Sequence, residues 1–247
     1  MDTYTVMMIL LAYLFASFLK GVTGLGFSTI CLPLLSYIID PKIGITLILL
    51  PSISSNLIVM FQVGHFIETC KRFWRVYLFV LPGLMLGVFT LSRANSDTIR
   101  LALGLVLVLY SSWALIAKEH LISKRTERLI SYPVGFATGL VNGFTGSQIM
   151  PILPYMLSLK LHKDIFVQAV NISFTLSSFT LIILLRKYDL LAVGYLGTSI
   201  GGIVVVFAGV FLGGKVRKIL PEKRYKQIVL AFLFLIGLSL IIKPFVT

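Results

Sequence analysis

The chain carries two long apolar stretches, each interrupted in the middle by glycine, proline and small polar residues. One is Gly21–Leu35, GVTGLGFSTICLPLL, and the other is Gly139–Tyr155, GLVNGFTGSQIMPILPY. In each, a proline follows the opening glycine at the same distance, Gly21 to Pro33 and Gly139 to Pro151. Hydrocarbon offers no water to a loosened backbone, so such a break is stable at membrane depth only where protein covers it or a wet cavity adjoins it. Two interrupted apolar segments at matching places in two halves point to the binding site of a transporter.

Composition puts both stretches in a membrane. Residues are 57% hydrophobic and 13% charged, against about 25% charged in a soluble domain. Continuous apolar runs over 43–63, 165–185 and 190–214 meet the requirement of about 20 residues per spanning helix. They exclude a β-barrel, which needs short alternating strands. Asp2 stands where a signal peptide would be basic, so the N-terminus is expected to belong to the first helix. The net charge of +13 comes from residues that flank the apolar runs. These read as topology signals and lipid-headgroup contacts rather than as a nucleic-acid surface. Cys31 and Cys70 are too few for a disulfide framework or a thiolate site, and neither cofactor nor metal is expected.

The pattern divides into residues 1–118, a polar linker over 119–128, and residues 129–247. Each half is expected to contain one broken segment (4–39 and 129–159) followed by three spanning helices. Ser52, Ser54, Ser55 and Asn56 in the first half correspond to Thr175, Ser177 and Ser178 in the second, with Asn171 one turn earlier. Gly83 and Gly87 likewise match Gly209 and Gly213, and the series Gly194, Gly197, Gly201 and Gly202 reads as close helix packing.

Charge decides how the halves are related. Eight simple spans would leave the basic residues almost evenly divided between the two faces. If residues 129–159 instead fold back to the side they came from, fifteen Lys and Arg fall on one face and six on the other, with Lys20 set aside. The positive-inside rule selects the second arrangement and places loops 64–75, 118–128, 160–163 and 215–226 in the cytoplasm. Equivalent loops of the two halves then face opposite sides, as in inverted repeats. The expected fold class is an all-α polytopic membrane protein of two inverted repeats, each opening with a Gly/Pro-broken hairpin. The hairpin legs are expected to be short, about 13 to 17 residues against the roughly 20 of a full span.

The stretches GVTGLGFSTICLPLL and GFATGLVNGFTGSQIMPIL resemble the two glycine-rich repeats of the sulfite exporter TauE/SafE family, also called the toluene-sulfonate uptake permease family. The resemblance covers the whole chain: its size, its two halves, and the glycines of the third apolar segment in each half. It implies a bacterial inner-membrane transporter of sulfite, sulfonates and related small organic anions.

The chemistry of the broken segments agrees with an anion. A helix restarted within the membrane presents N–H groups and about half a positive charge to whatever lies at its start. Gly24, Gly26, Gly143 and Gly146 allow close approach to the backbone, while Thr23, Ser28, Thr29, Asn142, Thr145, Ser147 and Gln148 add neutral donors. Ser52, Ser55 and Asn56 share one helix face, as do Asn171, Thr175 and Ser178. Each Ser or Thr has the plainer alternative of bonding its own helix backbone. Lys20 reads either as a counter-charge for the anion or as a side chain that snorkels to the surface.

All nine acidic residues fall at helix ends or in loops, so a carboxylate proton relay or Na⁺ cage has no obvious members. No nucleophile with its base and no paired carboxylates occur in the apolar runs, which argues against an intramembrane enzyme. The expected partners are a small anionic substrate and membrane lipid, with no nucleic acid. A passive anion channel, or a membrane subunit of a larger complex, stays open as the alternative. Proton coupling, the direction of transport and oligomeric state also stay open.

Overall fold

A computed structural model describes the backbone of residues 2–23, 26–117, 122–217 and 222–246, and the side chains within 2–23, 26–117, 122–216 and 227–244. The described residues form helices and no strand. In chain order these are α1 (Thr3–Thr23), α2 (Phe27–Ile38), α3 (Pro41–Val63), α4 (Phe66–Arg93), α5 (Ser96–Ile116), α6 (Lys124–Thr145), α7 (Ile152–Leu157), α8 (Lys163–Lys187), α9 (Leu196–Arg217) and α10 (Glu222–Val246). A single 3₁₀ turn, Val193–Tyr195, leads into α9. Seven of the helices, α1, α3, α4, α5, α8, α9 and α10, are long and apolar enough to cross a bilayer. The chain is therefore an all-helical integral membrane protein. Polar caps start three helices: Asp40 accepts from the Lys42 amide, with Pro41 in the first turn, Asn95 from Thr98, and Ser123 from Thr126.

Both broken segments fold back. Met8, Leu11, Ala12 and Phe15 of α1 share one apolar cleft with Leu34, Tyr37 and Ile38 of α2 and with α10, so α2 returns beside the start of α1. In the second segment the Ile122 amide donates to the Ser158 carbonyl at 3.2 Å, and Tyr155 Oη donates to the Glu127 carbonyl at 3.3 Å. The hairpin legs differ from expectation, however. The outgoing legs α1 and α6 have 21 and 22 residues, long enough to span, whereas the returning legs have 12 and 6. Helix α1 continues through Gly21, where its neighbour α9 fills the space that a side chain would take.

Contacts tie the helix ends into two groups. At one end Ser96 bonds Asp40, Arg100 Nε donates to the Ser36 carbonyl at 3.1 Å, Phe89 meets Tyr188, and Lys243 lies over the Tyr37 ring. At the other, Arg72 forms a two-pronged pair with Glu127 at 3.0 and 3.1 Å, and Arg75 Nε donates to Tyr132 at 3.0 Å. The α2–α3, α4–α5 and α8–α9 connections thus share one end. The α3–α4, α5–α6 and α7–α8 connections share the opposite one.

The tightest helix pairs are α4 with α6 and α1 with α9, and both are built on glycine. Small residues four apart let backbones touch, which is how helices associate where hydrophobicity supplies no drive. A Cβ on Gly87 would stand 2.5 Å from the Leu140 carbonyl and 2.8 Å from the Gly143 Cα. On Gly213 it would meet the Phe18 carbonyl, the Gly21 Cα and the Val22 amide. The two sets of neighbours correspond residue by residue, so Gly21 is equivalent to Gly143. The repeat register is therefore four residues, about one helical turn, away from the Gly21–Gly139 match that the glycine–proline spacing suggests. Exchanging the halves also turns the contact of α3 with α9 into that of α8 with α4, while the pairs α3–α8 and α5–α10 map onto themselves. Of the series Gly194, Gly197, Gly201 and Gly202, only Gly202 meets a neighbour, Tyr13; the other three face open space.

Candidate functional site

The polar centre is organised on α3, whose face at 52, 55 and 56 is buried by α1 and α2. Lys20 of α1 is 2% exposed. Its ammonium donates to Ser55 Oγ at 3.0 Å and to Asn56 Oδ1. Ser55 Oγ in turn donates to the Ser52 carbonyl at 2.9 Å, and Ser52 Oγ lies 3.0 Å from Ser28 Oγ in the first turn of α2. A single turn of α3 thus joins the ammonium to the start of α2. Gly26 caps that start with φ 86° and makes no side-chain cap bond there. Asn56 Nδ2 is buried and has no partner. Surface snorkelling of Lys20 is overturned: the side chain is buried and its ammonium turns inward to acceptors on α3. Among the described residues it is the sole buried Lys, Arg, His, Asp or Glu, and no carboxylate lies within ion-pair reach.

The second half presents an uncharged counterpart. Gly146, with φ 72°, ends α6, and Gln148 beyond it reaches α8 through Nε2, 3.1 Å from Ser178 Oγ and 3.4 Å from the Phe174 carbonyl. Asn142 is 1% exposed, and neither of its amide atoms has a partner. Ser147 Oγ, Gln148 Oε1, Thr138 Oγ1 and Ser173 Oγ are likewise buried and unpartnered. By the glycine register, Asn142 occupies in α6 the position of Lys20 in α1, each one residue before the glycine that packs on the neighbouring helix.

Other expected site residues have local partners. Thr23 Oγ1 donates to the Leu19 carbonyl at 2.9 Å and Thr145 Oγ1 to Val141 at 2.7 Å, both bonds within their own helix. Asn171 Nδ2 donates to the Val167 carbonyl at 2.8 Å, and Thr175 Oγ1 meets Met60 Sδ at 3.4 Å. Gly143 points at the Leu84 carbonyl of α4 and serves helix packing. Thr29 is buried in α2. Gly24 lies outside the described residues, as do residues 118–121 of the linker and the side chains of 217–226 in the last basic loop. Thr138, Ser173 and the buried Gln168 escaped sequence reasoning, since one hydroxyl or amide in an apolar helix gives no signal until its neighbours are known.

The end of α6 and Lys20 meet α3 at different levels. A Cβ on Gly146 would meet Leu32 Cδ2 at 2.6 Å and Ile45 Cγ1 at 2.8 Å, near the start of α3. Lys20 meets α3 at Ser55, about 15 Å further along at 1.5 Å per residue. Gln148, two residues beyond Gly146, nonetheless reaches Phe174 and Ser178 of α8, on either side of the Thr175 that meets Met60 of α3, so polar groups from both breaks line one column beside α3 and α8. No group of three or more His, Cys, Asp or Glu that could hold a metal occurs among the described residues.

A helical bundle crossing the bilayer, with two broken hairpins and, among the described residues, one buried lysine, is an architecture suited to a membrane transporter. The chain belongs to the sulfite exporter TauE/SafE family, whose sequence signature matches residues 9–240. Neither a curated protein nor a solved structure matches it.

Proposed function

We propose that this protein is a secondary transporter that carries small sulfur-containing or organic anions, of the sulfite and sulfonate class, by alternating access. Its two repeats, residues 1–118 and 129–247, would be inserted in opposite senses and joined by the linker 119–128. The carrying observation is Lys20. A cation buried among helices without a carboxylate is unfavourable unless something negative joins it. The unpartnered Asn56 amide beside it and the uncapped start of α2 offer further donors to that partner. The paired helices α1–α9 and α6–α4 flank the column from opposite sides, an arrangement suited to rocking about a fixed site. The setting is a bacterial inner membrane, with the basic α3–α4 end in the cytoplasm.

The test is sulfite flux into proteoliposomes. Saturable flux is expected from the natural protein. Lys20→Met should lose nearly all of it while remaining monodisperse in detergent, and Lys20→Arg should keep part. Full flux in Lys20→Met removes the site, and flux that never saturates identifies a channel.

A further inference from the structure

We infer that the cargo crosses as a singly charged anion, and that dianions of the same size and shape are rejected. The inference rests on the transporter reading above and adds the charge of the substrate to it. The polar column can hold at most one full positive charge from its described residues, on Lys20, the sole buried Lys, Arg, His, Asp or Glu among them. The start of α2 adds about half a charge at most. One negative charge is balanced by this set. A second would lie in low dielectric without a partner, which is strongly unfavourable.

The second half sharpens the point. The glycine register places Asn142 where the first half has Lys20. Both atoms of that amide are buried and unpartnered, as are Ser147 Oγ and Gln148 Oε1 nearby in the chain. These groups donate and accept hydrogen bonds but carry no charge. A tetrahedral oxyanion in the column meets the ammonium of the first half and, among the described residues, neutral groups from the second. The repeat that could have supplied a second cation supplies an amide.

Methanesulfonate and sulfate make the test direct, since they differ by a methyl group in place of one charged oxygen; acetate and oxalate form a second pair of fixed charge. Flux of each would be measured with the full-length protein in proteoliposomes at one pH and one ionic strength. The monoanion of the transported pair is expected to exceed its dianion by at least about tenfold in flux at equal concentration, a ratio equivalent to about 1.4 kcal/mol. Asn142→Lys, which places a second ammonium at the equivalent position, should narrow that ratio by raising dianion flux. A monoanion-to-dianion ratio below about ten in the natural protein, or sulfite flux with neither monoanion carried, overturns the inference and leaves the transporter reading standing. Absence of saturable flux for sulfite and for every anion of the series overturns that reading, and this inference with it.

Discussion

At Lys20 the ammonium and its two α3 acceptors, Ser55 and Asn56, are all buried, so each depends on the others being present. Removing an acceptor strands the donor, and the penalty for a buried group left unmatched is about 1–3 kcal/mol. Asn56→Leu is therefore expected to lower stability by about that amount, read as thermal unfolding in detergent. Lys20→Met removes the charge that needs the acceptor, so Asn56→Leu made in that background should be nearly neutral. A double-mutant cycle with no coupling between the two positions would show that the contact contributes nothing. The asymmetry with Asn142 appears at the same scale: one side chain in each half occupies the equivalent place, and only one carries a charge.

For single elements the decisive property is how closely two backbones approach. Gly87 on α4 and Gly213 on α9 each face a glycine of the outgoing hairpin leg, so a leucine at either would force its helix pair apart. Both Gly87→Leu and Gly213→Leu are expected to cost several kcal/mol and to yield aggregated protein on size exclusion. Gly197→Leu, on the same helix as Gly213 but facing open space, should leave the protein monodisperse. Normal behaviour of Gly87→Leu would contradict the α4–α6 packing. This scale also marks where sequence reading worked and where it slipped. The break after the outgoing leg, the fold-back of residues 129–159 and the match of Gly83 and Gly87 to Gly209 and Gly213 were legible from hydropathy, charge and small-residue spacing. The register was not, because the glycine–proline spacing points to Gly139 while Gly135, Gly139 and Gly143 recur every four residues, and in packing Gly143 takes the place of Gly21. Only contact with α4 selects among them. Leg length escaped for a related reason: glycine in a membrane helix reads as a break, but at Gly21 it marks a helix crossing. Lys20 was visible as a residue but not as a buried one, since its α3 acceptors lie more than thirty positions away.

Across the whole molecule, the two groups of helix ends carry unequal charge. The α3–α4 end holds Lys71, Arg72, Arg75, Lys124, Arg125, Arg128, Lys160 and Lys163; the opposite end holds Lys42, Arg93, Arg100, Arg186, Lys187 and Lys243. Glu127, itself paired with Arg72, offsets little of the first group. Since orientation follows Lys and Arg near the helix ends, the first group is expected to stay in the cytoplasm. The chain carries its own reporter of this arrangement. Cys31 is buried, whereas Cys70 is partly exposed near the basic end of α4. A membrane-impermeant maleimide should leave Cys70 unlabelled in intact cells and label it in inside-out vesicles. Asp97→Cys, exposed at the start of α5 on the other side, should show the reverse. Labelling of Cys70 from outside intact cells would invert the molecule, and it would place the start of α2, with Lys20, nearer the outer surface. The column between the breaks would survive that result, but the side from which an anion first meets the ammonium would change.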